Sequence, residues 1–406
     1  MRQDTRVRPP LVSVKPNPMS DTLAHARPLA PAVEPAVPPR PERLLSLDVF
    51  RGLTVAAMLL VNNPGTWSAV YDPLEHAAWH GWTPTDLIFP FFLFIVGVSM
   101  AYSLVPRLER GDPPGRLFGR AARRSANLVG LGLLLAAFPY YNLDLGHLRI
   151  PGVLQRIGLA FLLASAVVLF TRPHAQAAIA AVLLLGYWAA MTLVPVPGFG
   201  AGNLTKDGNL AAYVDRAVLG TNHLWASAKT WDPEGLMSTL PAVATVLLGV
   251  FAGRWMRSER APAERLVGLF LAGNAMVVAG LVWDAAFPIN KNLWTSSYVL
   301  FTAGLAMHTL AVCYWLVDVR GRRRWALPFA WFGMNAIFAF FLSGVMGRLL
   351  YLVKIDGRTI KDVIFAGAFD SWLPKHDASM AFALCFVALW TGIVWAMHRR
   401  GWYWKV

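Results

Sequence analysis

Apolar residues in this chain come in long, nearly unbroken runs, separated by short polar links. Neither the period-two alternation of a half-buried strand nor the narrow stripe of a surface helix dominates. A helix needs roughly 20 apolar residues to cross the hydrocarbon core of a bilayer. Hydropathy marks about ten such spans, near residues 44–61, 86–105, 125–138, 152–170, 177–194, 239–256, 265–287, 297–317, 328–349 and 379–397. The pattern predicts an all-α, polytopic integral membrane protein with about ten transmembrane helices. No internal repeat is visible, which does not favour an inverted-repeat transporter.

Residues 1–43 break the pattern. Prolines at 9, 10, 16, 18, 28, 31, 35, 38, 39 and 41 are interleaved with Ala, Arg and Ser. Such a segment cannot bury enough apolar surface to offset its ordering entropy. It is expected to be a disordered cytoplasmic tail, with 44–406 forming a single membrane domain. No apolar core follows the early arginines, as a secretory signal would require.

Composition agrees with the pattern. The 406 residues are 56% hydrophobic and 15% charged, whereas soluble proteins are about a quarter charged. The net charge of +14 would suit a nucleic-acid binder. Its position excludes that reading, because the basic residues cluster between spans. Arg107, Arg110, Arg116, Arg120, Arg123 and Arg124 follow the second span, and Arg254, Arg257, Arg260 and Arg265 surround the link after the sixth. Arg320, Arg322, Arg323 and Arg324 follow the eighth, and Arg399, Arg400 and Lys405 the tenth. The positive-inside rule puts these links, and both termini, in the cytoplasm. The link 62–85 has no Lys or Arg and is expected outside, with the longer links near 195–238 and 351–378. Cys313 and Cys385 lie in apolar runs and read as small buried hydrophobes. Ligand spacing for a metal is absent, so no metal site is expected.

Polar groups within a membrane are costly and mark candidate sites. Asp48 and Arg51 stand three residues apart on one face of the first span, either as a structural ion pair or at a ligand cavity. That span ends at Asn62-Asn63-Pro64-Gly65. The next link reads His76-Ala77-Ala78-Trp79-His80-Gly81-Trp82-Thr83-Pro84-Thr85-Asp86. Thr83 or Thr85 suits a helix cap, and Asp86 the first turn. An imidazole here suits a general base. The pair His76 and His80 at i, i+4 could also hold zinc, although the glutamate of the zinc-protease pattern is missing. Arg156 falls about one and a half turns inside the fourth span, either reaching back to the interface or lining a cavity. Asn290-Lys291-Asn292-Leu293-Trp294 precedes the eighth span. His308 and Asn335 read as helix-bridging groups.

Eight segments in this order resemble the transmembrane heparan-alpha-glucosaminide N-acetyltransferase family: 43–52 (RLLSLDVFRG), 76–90 (HAAWHGWTPTDLIFP), 149–158 (RIPGVLQRIG), 213–224 (YVDRAVLGTNHL), 232–235 (DPEG), 288–299 (PINKNLWTSSYV), 317–321 (VDVRG) and 333–335 (GMN). The resemblance extends over about residues 43–406. The chain resembles the shorter bacterial branch, some of whose members are labelled N-acetylglucosamine-related transporters. On this resemblance the chain is expected to lack the family's lumenal N-terminal domain and the extra span after it.

The resemblance implies transfer of acetyl from cytoplasmic acetyl-CoA, with no metal, to the amine of a glucosamine-type sugar on the outer face of a bacterial inner membrane. It places the active-site histidine at His76 and the asparagine ending the first catalytic span at Asn62. Cytoplasmic-end arginines are the candidates for the coenzyme A phosphates: Arg51, Arg120, Arg123, Arg124 and Arg254. Arg156, Lys291, Asn292 and Trp79 are the candidates for holding the acceptor. Direct attack with His76 as base, or passage through an acetyl-histidine, both fit. Asp86 either holds the imidazole or serves as a plain helix N-terminal charge, and the latter is preferred on the sequence. A transporter of amino sugars or wall fragments is the alternative function. The bilayer is a partner in either case, and a homodimer is an open option.

Overall fold

A computed structural model describes residues 44–404, apart from the side chain of Asn142. The Pro-rich tail 1–43 and Lys405 lie outside the described residues. Fourteen α-helices account for most of what is described: α1 Leu45–Asn62, α2 Ile88–Ser103, α3 Val105–Glu109, α4 Pro114–Ala137, α5 Val153–Phe170, α6 Pro173–Leu193, α7 Leu210–Leu219, α8 Thr239–Met256, α9 Pro262–Asp284, α10 Ser296–Tyr314, α11 Leu327–Met334, α12 Ala336–Leu352, α13 Ile360–Phe365 and α14 Lys375–Arg399. The β-structure of the described residues is one short hairpin, pairing Lys354–Ile355 with Arg358–Thr359, and two isolated bridges. Several helices open on proline at their first position (Pro114, Pro173, Pro262), where the missing N–H would have had no helical partner.

The chain is a multi-pass membrane protein. Among the described residues, eight helical segments are long and apolar enough to span a bilayer, each corresponding to a span expected from hydropathy. The two remaining expected spans differ in form. The one near 328–349 is broken: helical segments 324–334 and 336–352 meet at a bend of 75°. Asn335 sits at the break, fully buried, and its Oδ1 accepts the Trp404 N–H at 3.1 Å. It ties the C-terminal segment to the bend instead of bridging two helices.

The span expected at 125–138 is the second half of the longer α4. Its first half carries Arg116, Arg120, Arg123 and Arg124 and is too charged to stand out by hydropathy. Nevertheless α4 runs antiparallel to α5 along all of it. Phe118 meets Phe170 at one end (ring centroids 5.8 Å). Ser125 donates to the Gly158 carbonyl at 2.8 Å midway, and Gly132 abuts the Gln155 side chain near the other end. At a rise of 1.5 Å per residue α4 is about 36 Å long.

Packing is closest where small residues let backbones approach. A Cβ on Gly97 would lie 1.9 Å from the Val246 carbonyl oxygen, and one on Gly249 would lie 2.1 Å from that of Phe94, so α2 and α8 touch backbone to backbone. Gly52 and Gly333 do the same between α1 and α11. α8 is the centre of the bundle, with 78% of its residues buried, against 17% of an 18-residue stretch of α9. The outer face of α9, with Leu271, Val278 and Val282 exposed, is apolar because lipid is its solvent.

Candidate functional site

The link between α1 and α2 crosses one end of the bundle. Its start is pinned to α14: the Gly65 N–H donates to the Ser379 carbonyl at 3.1 Å, and Tyr71 donates to Asp377. Its end is pinned to the link before α10, where the Gly81 N–H donates to the Ile289 carbonyl at 2.8 Å. Gly81 adopts φ +92°, a conformation that side chains disfavour. Between these anchors lie His76, Trp79 and His80.

Asp86 performs both roles left open by the sequence, and the preferred reading of a plain helix charge is corrected. It is the third residue of the turn Pro84–Leu87 leading into α2, and its carboxylate accepts the Thr83 N–H in a reciprocal cap. The same Oδ2 accepts the Ala77 N–H at 3.0 Å. The other oxygen, Oδ1, faces His76 Nδ1 at 2.6 Å. Asp86 is 1% exposed, whereas the His76 side chain is 49% exposed. The Tyr298 hydroxyl donates to the Asp86 backbone carbonyl, so α10 also fixes this turn. A buried carboxylate on Nδ1 holds the proton there and leaves Nε2 as the basic nitrogen. Facing Nε2, at 3.4 Å, is the ammonium of Lys291.

His80 turns away from His76, towards the Asn290 side chain at 3.4 Å. Burial lowers its pKa, against the opposing charge of Asp284. No cluster of three or more metal-ligating side chains occurs among the described residues. Trp79 donates to the Leu204 carbonyl at 2.9 Å and packs edge-on against Trp231 (centroids 5.0 Å). Asn292 is partly buried, and the fully buried Asn290 makes the contact with the histidine link in its place.

Beneath this link lies a cluster of charges. Arg149 clasps Asp232 with Nε at 2.8 Å and Nη2 at 2.6 Å, and Nη2 reaches Glu234 at 2.6 Å. Burial alone would raise the Glu234 carboxyl, but Arg149, Lys291 and Arg156 outweigh it and hold it below the usual range. Lys291 is pushed down by burial, against Glu234 and Asp86. Asp215, whose burial outweighs the N–H of Leu236 on its carboxylate, is raised to about 6. Arg156 is 1% exposed. It neither reaches back to the interface nor stands open to solvent: it donates to the Gly235 carbonyl at 3.0 Å and to Ser238 and lies over Trp294. Arg149, Asp215, Asp232 and Glu234 were present in quoted segments but had no local feature to single them out as site residues.

A cavity of about 800 Å³ adjoins this cluster. It is lined by Asn62, Arg149, Gln155, Trp225, Arg348 and Tyr351, among others. Asn62, at the end of α1, is therefore placed on this cavity, and no hydrogen bond joins it to His76 among the described residues. Arg51 contacts Asp48 at 3.0 Å, Ser99 at 2.8 Å and the Gly333 carbonyl at 3.1 Å, binding α1 to α2 and α11. Arg254 lines a second cavity, of about 410 Å³, with Arg257 and Glu109, and donates to Gln176 at 2.7 Å. Arg120, Arg123 and Arg124 are exposed on α4, the last lying over Phe161. Arg120, Arg123 and Arg124 share about one turn of α4, with Arg51 close enough to Arg124 for their charges to repel, whereas Arg254 stands apart at the second cavity.

Residues 43–280 match the family model for the heparan-alpha-glucosaminide N-acetyltransferase catalytic region. The chain belongs to this family. It is 31% identical over 424 aligned positions to human heparan-alpha-glucosaminide N-acetyltransferase and 29% identical over 417 to the mouse protein, in each case covering 90% of this chain. The chain spans about 60% of the length of these relatives.

Proposed function

We propose that this protein is a membrane-embedded N-acetyltransferase. It moves acetyl from acetyl-CoA, supplied in the cytoplasm, to the amine of a glucosamine-type sugar on the outer face of a bacterial inner membrane. The single observation that carries this reading is the His76–Asp86 pair. It is an accessible imidazole whose Nδ1 is held by a buried carboxylate, and it lies on a link that the charge asymmetry of the chain places outside. In this reading His76 Nε2 takes the amine proton as nitrogen attacks the thioester, and Asp86 sets the tautomer. The cavity bearing Asn62, Arg149 and Trp225 is roomy enough for a sugar and offers both an aromatic face and hydrogen-bond donors. Arg254 lines the second cavity and is a candidate for the coenzyme A phosphates, while its neighbour Arg257 is paired with Glu109 at 2.7 Å. Arg51 is expected to contribute to helix packing, given its three protein acceptors.

The test is acetyl transfer by purified protein with acetyl-CoA and a panel of glucosamine-containing acceptors. Coenzyme A should also raise the melting temperature, as a native-state ligand must. Entry of unmodified radiolabelled amino sugar into proteoliposomes without acetyl-CoA, together with no acetylated product, would establish a transporter instead.

A further inference from the structure

The proposed base has an unusual neighbour. Lys291 comes from the link between α9 and α10, 215 positions from His76 in sequence. It is partly buried, and its ammonium points at the nitrogen that the mechanism requires to be unprotonated. Asp86 and Lys291 are the charged side chains within hydrogen-bond reach of His76 among the described residues. The charges of Glu234, Asp86, Arg156 and Arg149 also act on Lys291. Glu234 is engaged by Arg149 at 2.6 Å, and no salt bridge to Lys291 occurs among the described residues. A cation desolvated in this way, without its own carboxylate, is well suited to receive developing negative charge.

We propose that Lys291 is a catalytic residue that pairs with the oxyanion of the tetrahedral intermediate. This rests on the acetyl-transfer reading above. The oxygen and the amine nitrogen of the intermediate are bonded to the same carbon. One carbon can therefore present its oxygen to Lys291 Nζ and its N–H to His76 Nε2, given that these two atoms stand 3.4 Å apart. As the sugar nitrogen bonds to the acetyl carbon, the C=O π pair moves onto oxygen beside the ammonium, and His76 takes the amine proton. The oxyanion then reforms the carbonyl, and the C–S bond breaks with its electron pair on sulfur. His76 returns the proton to the thiolate. Lys291 keeps its protons throughout. Without substrate it covers the lone pair of the base, and the arriving amine takes that position.

The experiment compares wild type with Lys291→Met, Lys291→Arg and His76→Ala, using acetyl-CoA and a dithioacetyl analogue in which sulfur replaces the carbonyl oxygen. Lys291→Met should lower kcat about 100-fold or more, the scale for loss of one oxyanion partner, while KM for the acceptor changes little. Lys291→Arg should recover part of it. Sulfur is a poorer partner for an ammonium, so the preference for the oxygen donor should collapse in Lys291→Met. A purely structural or acceptor-holding role would leave that preference intact. An unchanged oxygen-to-sulfur ratio, or a loss confined to KM, overturns the inference. If wild type forms no acetylated product from either donor, it is the acetyl-transfer reading that fails.

Discussion

Replacement of Asp86 by asparagine tests the assignment of the basic nitrogen most directly. The carboxylate has two distinct sides. Oδ2 accepts two backbone N–H groups, from Ala77 at 3.0 Å and Thr83 at 3.1 Å, while Oδ1 meets His76 Nδ1 at 2.6 Å. An asparagine must keep its oxygen towards the two N–H donors, because turning its NH₂ there would oppose donor to donor in a site 1% exposed. The NH₂ then faces His76, Nδ1 becomes an acceptor, and the ring proton moves to Nε2. That nitrogen can no longer take a proton, and it now presents N–H to the Lys291 ammonium. Wrong-tautomer and lost general-base effects are worth about 10²–10⁴ in kcat, or about 2.7–5.4 kcal/mol of barrier. Stability should fall far less, since the two backbone acceptors survive and a helix cap contributes about 1 kcal/mol. The assay is acetyl transfer under saturating donor, with melting temperature measured on the same preparations. An Asp86→Asn protein that folds normally and keeps its kcat within fivefold would refute the argument.

His76→Ala should reduce transfer by about two orders of magnitude or more with coenzyme A binding retained, whereas His80→Ala, facing Asn290, should cost much less. Asn62→Ala should fall between them, and equal rates for wild type and His76→Ala in a direct assay would remove His76 from the chemistry. Single cysteines replacing Ala78 and Lys206, both exposed, should react with an impermeant reagent from outside intact cells. One replacing the exposed Gly115 should not, and the opposite pattern would invert the topology. Arg149→Ala leaves the buried carboxylates of Asp232 and Glu234 without their shared partner and should destabilise by about 3–5 kcal/mol, read as a lower melting temperature. Because the folded-state pKa of Glu234 is depressed, its pairing stabilises fully above the ordinary carboxylate pKa and is lost as pH falls through the folded value. The difference between wild type and Arg149→Ala should therefore be largest near neutral pH and shrink below about pH 4. A difference that grows on acidification would contradict that sign.

Sequence alone was sufficient for whatever depends on contiguous residues. Apolar runs long enough for a bilayer indicated the class and eight of the ten expected spans in their observed form, because a lipid environment demands an unbroken local signal. The link at 76–86 stood out because its histidines and its capping residues are neighbours in the chain. Other features were not legible, each for a physical reason. α4 was shortened to 125–138 because hydropathy counts the charge on its arginines and is blind to the packing of Phe118 on Phe170. The 75° break at Asn335 is held by backbone groups of a distant C-terminal segment. The partner of Asp86 depended on how the link folds back over its own helix, and both a plain cap and an imidazole holder suited the same local spacing. Arg149, Asp232, Glu234 and Lys291 converge from three separate links. Their importance lies in burial and mutual charge, which exist only once the helices between them have packed.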